Sequence, residues 1–246
     1  MSAGDEITEL QAVDIALGGV FAAAYDGLGA TGPENYKRFC SRPIPEKIFR
    51  TQVDSPEELV RKIAASKKGQ GRASVPPTPG EHLPDLPVIA YYRKPGLTNG
   101  DDFARIVEKV MYDEALEKQF RLTFCPVALD YNIIMVAWDK PTLDKLQIGW
   151  YAHTVKNCRK GTRFVIPYTL DGSLFEVPAW VTTPRSVLFT DSSLSTAEGR
   201  LYAVSAGMTV VTSVIVGQAV TIPPFDVWGI ARTYIFHGPK DPNQGA

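Results

Sequence analysis

The sequence predicts an α+β protein: a mixed or antiparallel sheet flanked by two helices, with an N-terminal helical segment and an extended proline-rich arm. Two observations in residues 122–154 carry the prediction. From Val127 to Ala137 the odd positions are Val127, Leu129, Tyr131, Ile133, Met135 and Ala137, while the positions between them open with Ala128, Asp130 and Asn132. That period of two is a strand. At Ile134, Val136 and Trp138 the second face turns apolar as well, so this end of the strand is expected to be covered on both sides. Directly afterwards, Asp139 and Pro141 supply an acidic N-cap and a first-turn proline, and Leu143, Leu146 and Trp150 follow at helical spacing.

The remaining elements follow in chain order. Ile7, Leu10, Val13, Leu17, Val20, Phe21, Ala24 and Leu28 form one apolar stripe at three-four spacing, a helix ended by Gly27 and Gly29. From Thr31 to Thr51 the prolines Pro33, Pro43 and Pro45 predict an irregular, ordered loop. Ser55-Pro56-Glu57-Glu58 starts a helix whose buried face is Leu59, Val60 and Ile63, with serine as N-cap and glutamate completing a capping box. Residues 67–87 read as an exposed arm, basic at Lys67, Lys68 and Arg72 and then rich in proline. Val88 to Tyr92 is a short apolar strand, and Asp101 caps an expected helix bearing Phe103, Ile106, Val107, Val110 and Met111. Phe164–Tyr168 and Leu174–Val181 form a hairpin about Asp171-Gly172, with Pro167 and Pro178 pointing to edge strands or bulges. Arg185–Thr190 and Gly229–Phe236 are further strand candidates, and Leu201–Ile222 is expected to bend or form a hairpin at Gly207 and Gly217. The domain organisation expected is a helical segment over 1–66, the arm over 67–87, an α+β core over 88–237 and a tail over 238–246.

Composition narrows the function classes. The 26 basic and 27 acidic residues nearly cancel, so there is no global pull toward nucleic acid or anionic lipid. Binding of nucleic acid through Lys67, Lys68 and Arg72 would have to be local and steeply salt-dependent. Cys40, Cys125 and Cys158 are widely spaced with no CxxC pair, which argues against a disulfide framework and a zinc site. His82, His153 and His237 are too scattered for a metal centre. No signal-peptide pattern and no apolar run long enough to span a bilayer is present, so a soluble, cytosolic chain is expected. The nearest approach to nucleophilic chemistry is Cys125 with Asp130 nearby and His153 at the end of the following helix. A thiolate needs a base and an orienting group in reach, and a buried, inert Cys125 beside Pro126 is the simpler account. Tyr91, Tyr92 and Arg93 could stack on a ring, although aromatic residues in strands mostly pack.

Three features together resemble known proteins: the N-terminal amphipathic helix followed by Pro87-Val-Ile-Ala-Tyr-Tyr92; the long strand from Leu129 to Trp138 running into the helix Thr142–Trp150; and the strand block holding Phe189–Ser193 and Gly199–Val204. They resemble small structural proteins of the neck, tail and baseplate of tailed bacteriophages, tail terminators in particular. The resemblance implies a non-enzymatic virion protein, assembled in the host cytoplasm, that forms a hexameric ring and joins the tail tube or sheath to adjacent parts. It implies no catalytic, cofactor-binding or metal-binding residues, and as partners the chain itself and other tail, neck or baseplate proteins. A baseplate or sheath-initiator component is the alternative within that class. A cytosolic cysteine hydrolase using Cys125 and His153 is the alternative outside it.

Overall fold

The computed structural model describes residues 9–26, 28, 31–69, 86–99, 106–113, 118–156, 162–182, 188–196 and 199–220. In chain order these form α1 (Glu9–Ala24), α2 (Glu34–Ser41), a 3-10 turn at Ile44–Glu46, β1 (Ile48–Arg50), α3 (Pro56–Gly69) and β2 (Val88–Arg93). Then come β3 (Thr98–Asn99), β4 (Val107–Asp113), β5 (Lys118–Ala137), α4 (Lys140–Lys156), β6 (Thr162–Leu170), β7 (Ser173–Thr182), β8 (Thr190–Asp191), β9 (Leu194–Thr196) and β10 (Gly199–Val220). The class is α+β with a mixed sheet, as the sequence predicts.

The axis of the sheet is an antiparallel ribbon of β5 and β10, paired without a break from Tyr202 opposite Ala137 to Val220 opposite Gln119. At the usual rise per residue it is about 60 Å long. Along the other edge of β5 lie β2, β3 and β4, all antiparallel to it. β1 joins β2 in parallel, which makes the sheet mixed. On the far side of β10 come β7 and then β6, with β8 and β9 pairing along the start of β10.

This register places odd residues of β5 and even residues of β10 on one face. There Val13, Leu17 and Phe21 of α1, Tyr36 and Phe39 of α2, and Leu143, Leu146 and Trp150 of α4 bury Leu129, Tyr131, Ile133 and Met135. On the opposite face Leu59 and Ile63 of α3 cover Val88, Ala90, Ile134 and Val136. The two-sided burial expected at this end of the strand is therefore present. Further down the ribbon the buried β5 positions change from odd to even: Val127 and Leu129 give way to Leu122 and Phe120. The register is unbroken, so twist of the ribbon rather than a bulge accounts for the change. β7 pairs with β10 over only three residues. At its other end Phe175 meets Phe120 edge-to-face at 5.2 Å, and Lys118 pairs with Asp171 of the β6–β7 turn at 2.6 Å.

Local chemistry explains the boundaries. The Glu58 N–H donates to Ser55 Oγ at 3.2 Å and the Asp54 N–H donates to Glu58 Oε2 at 2.9 Å, so both orphan donors at the start of α3 are met. Asp139 caps α4 by accepting from the Thr142 N–H at 2.8 Å, and it accepts from Asn35 Nδ2 of α2 at 2.8 Å. Burial works against its ionisation, but these hydrogen bonds outweigh burial and lower its pKa. Asp171 at φ 48° and Gly172 at φ 88° turn the β6–β7 hairpin, two positive values in succession as a type I′ turn requires. Pro167 lies on β6, the outermost strand, and Pro178 lies on β7 beyond its three paired residues with β10, both off the crowded part of the ladder.

Four expectations are corrected. The stretch 31–51, read as a loop, holds α2, the 3-10 turn and β1. Pro33 sits at the N-cap of α2, Pro43 before the 3-10 turn and Pro45 within its first turn, positions where a missing N–H costs nothing, so they punctuate short elements rather than forbid them. The helix expected from Asp101 is a strand at 107–113, because pairing with residues 118–124 of β5 overrides the three-four spacing. Of the strand candidate Arg185–Thr190, residues 185–187 lie outside the described residues, 188 and 189 are irregular, and Thr190 opens β8. The hairpin expected in Leu201–Ile222 is instead one continuous strand through Val220, paired with β5 throughout. The arm beyond Gly69 as far as 85, the strand candidate 229–236 and the tail 238–246 lie outside the described residues.

Candidate functional site

The most tightly organised polar group lies beneath α1. Asp14 interrupts the apolar stripe between Val13 and Leu17, and its carboxylate faces the sheet. Tyr131 Oη donates to Asp14 Oδ1 at 2.6 Å, and Arg93 Nε reaches the same oxygen at 3.3 Å. Tyr91 Oη donates to the Asp14 backbone carbonyl at 2.7 Å. Burial, followed by the hydrogen bond to Asp14, pushes the Tyr131 hydroxyl far above its usual range. The cluster fixes α1 on β2 and β5. A lone acid in an apolar stripe was the available signal for it in the sequence. Replacing Asp14 with alanine is expected to lower stability by about 2–3 kcal/mol, since it strands Tyr131 and Arg93 together. Denaturant unfolding checks this, and Asp14→Asn, which keeps an acceptor, should cost less.

Arg93 and Tyr91 are thus engaged in docking α1, and Tyr92 Oη accepts from Asn132 Nδ2 at 2.7 Å. The candidate Cys125 pairs across the ribbon with Val214, and Asp130 lies on the opposite face of the same strand. Asp130 instead accepts from Thr209 Oγ1 at 2.6 Å. His153 sits in the last turns of α4, its ring stacked on Trp150 with centroids 6.3 Å apart. The candidate orienting acid Asp130 is therefore turned away from Cys125 and engaged by Thr209. Cys40 is held near Lys47, whose Nζ donates to the Cys40 carbonyl at 3.0 Å and lies 5.3 Å from the Phe39 ring centre. Burial raises the Cys40 thiol pKa and lowers that of Lys47, which makes Cys40 a poor nucleophile. Lys67 and Lys68 belong to the end of α3, and Arg72 lies outside the described residues.

A depression of about 470 Å³ opens beside Lys94, Asp130, Thr182, Gly207 and Thr209. Its hydroxyls are committed to the sheet: Thr209 to Asp130, and Thr182 Oγ1 to the Thr209 carbonyl at 3.0 Å. Thr209 and Asp130 are directly opposed in the ladder, so the pair is a cross-strand contact. Among the described residues no group of three or more His, Cys, Asp and Glu side chains could hold a metal ion, and no described helix is long and apolar enough to cross a membrane.

The surface that stands out is the end of the ribbon away from the helices. Register places Glu108, Val110 and Tyr112 of β4 beside Arg121 and Thr123 of β5 and Val216 of β10 on one face. Val110 is 50% exposed, Tyr112 58% and Val216 60%. Arg121 and Glu108, 3.5 Å apart, are exposed across the same surface. Sequence reasoning missed this surface because it assigned Val110 to the buried stripe of a helix. The sequence matches no known protein family and no curated protein.

Proposed function

We propose that this chain is a non-enzymatic structural subunit of a tailed-phage virion, a ring-forming tail terminator or neck protein that joins the tail tube or sheath to adjacent parts. A baseplate or sheath-initiator role is the alternative within the same assembly. The observation that carries the reading is the exposed sheet face on which Val110, Tyr112 and Val216 alternate with Glu108, Arg121 and Thr123, next to a strand whose outer edge pairs with no other described strand. Exposed edges and apolar faces are liabilities in a solitary molecule and become contacts when neighbours cover them. The resemblance in residues 87–92, 129–150 and 189–204 adds the virion context. Closed head-to-tail contacts generate a ring.

The test is native mass spectrometry and negative-stain electron microscopy of the full chain at concentrations on the order of 10–100 μM. Closed rings, six-membered by the resemblance, are the expected result. A chain that stays monomeric at the top of that range overturns the reading.

A further inference from the structure

Among the described residues β4 presents an unpaired sheet edge along its full length. β1 is only three residues long, β6 carries Pro167 and has α1 packed on it, and where β10 leaves β7 beyond Val211 its Ser213 carbonyl accepts from Tyr168 Oη. β4 has seven residues without proline, and its outer edge pairs with no other described strand. Natural sheets protect such edges by shortness, proline, cover or charge; among the described residues β4 lacks the first three, and its charges, Glu108, Lys109 and Asp113, are what a partner strand has to match.

We infer that β4 pairs antiparallel with β4 of a second copy of this chain, about a two-fold axis at Met111. An antiparallel two-fold pair keeps each face of the sheet continuous, so a residue must lie opposite one that points the same way. That leaves few registers. Centred on Lys109, two ammonium groups coincide. Centred on Val110, Glu108 falls opposite Tyr112 and Val107 opposite Asp113, so charges face apolar side chains. Centred on Met111, Lys109 lies opposite the partner's Asp113 twice over, Val110 lies opposite the partner's Tyr112 twice over, and Met111 meets itself. Over residues 109–113 charge and apolar surface are then both matched, with Val107 and Glu108 beyond the paired stretch. The exposed Val110 and Tyr112 become central residues of a sheet that crosses from one copy into the next. Within one copy Lys109 Nζ lies 5.5 Å from the Phe124 ring centre, and Asp113 Oδ2 accepts from Ser173 Oγ at 2.5 Å. The contact is isologous, so it links two copies whether or not a head-to-tail ring also forms.

Charge reversal tests the register. Lys109→Asp alone sets acid against acid in the pair, and Asp113→Lys alone sets base against base. Mixing the two variants restores both opposite-charge pairs. In sedimentation equilibrium the full chain is expected to dimerise at concentrations on the order of 100 μM or below, and each single variant to dissociate at least about tenfold more readily. The equimolar mixture should recover the dimer. A misfolded variant cannot be rescued in this way, and circular dichroism of each variant alone identifies misfolding directly. A monomeric full chain, showing the edge to be covered by the chain's own residues, or a mixture no tighter than its components, overturns the pairing. Dimers without rings overturn the ring reading alone and leave the pairing standing.

Discussion

Raising the pH from about 10 to about 12 is expected to unfold the protein. Tyr25, Tyr36, Tyr91, Tyr131 and Tyr168 are all buried. In each, burial is the leading cause of a raised pKa, with Tyr91 pushed up to about 12, Tyr36, Tyr131 and Tyr168 further, and Tyr25 well above its usual value. An unfolded tyrosine loses its proton near pH 10, so above that pH the folded chain holds protons that the unfolded chain has released. Stability is therefore complete below pH 10 and falls as pH rises through the folded values, by about 1.4 kcal/mol per pH unit for each tyrosine. Cys40, also raised by burial, acts in the same direction from a lower starting pH. Lys47 acts the other way, because its lowered pKa favours the folded chain as pH rises, but it is one group against six. Two pH units acting on several such tyrosines amount to on the order of 10 kcal/mol, comparable with the whole stability of a domain. Tyrosinate absorbance should stay low and then rise in one step with loss of circular dichroism. Smooth titration of all ten tyrosines near pH 10 with the fold intact would contradict their placement.

What could be read from the sequence was whatever local pattern and tertiary context agreed on. The strand over 127–137 and the helix beginning at Asp139 needed no partner to be recognised, because period two, an acidic cap and helical spacing are each local. The hairpin at Asp171-Gly172 was legible for the same reason. Residues 107–113 were not, since Val107, Val110 and Met111 fit a helical stripe while Val107, Lys109 and Met111 fit alternation equally well. Seven paired residues on β5 decided between them. Gly207 and Gly217 suggested a break in β10, but nineteen consecutive pairings with β5 hold the strand through both. Asp14 was hidden in an apolar stripe, and only the arrival of Tyr131 and Arg93 from distant parts of the chain gives it a role. The exposed face of β4, β5 and β10 was illegible because it exists only once three separate segments are in register.

The largest single-residue effect is expected at Trp150, where alanine should cost about 3–5 kcal/mol. Its side chain is 1% exposed and lies where α4 meets α1, stacked on Phe21 with ring centres 4.6 Å apart. Phe21 in turn packs on Tyr91 of β2 at 5.1 Å, so one ring stack connects the helix layer to the sheet. The seam is too close to collapse into a cavity. A Cβ on the neighbouring Gly149 would come within 2.7 Å of the Tyr25 ring, and Tyr25 Oη donates to the Leu146 carbonyl at 2.7 Å, which locks the two helices at their present distance. Removing the indole therefore leaves a void walled by groups fixed elsewhere, the condition under which large-to-small substitutions are most costly. Ile148, two residues away on the same helix and 58% exposed, provides the control: its replacement by alanine should change stability by less than about 0.5 kcal/mol. Denaturant unfolding of both variants separates the effects, with Trp150→Phe expected between them because a smaller ring still meets Phe21. Equal, small losses at both positions would mean that α4 does not pack on α1 through this stack, and the helix layer would need a different seam.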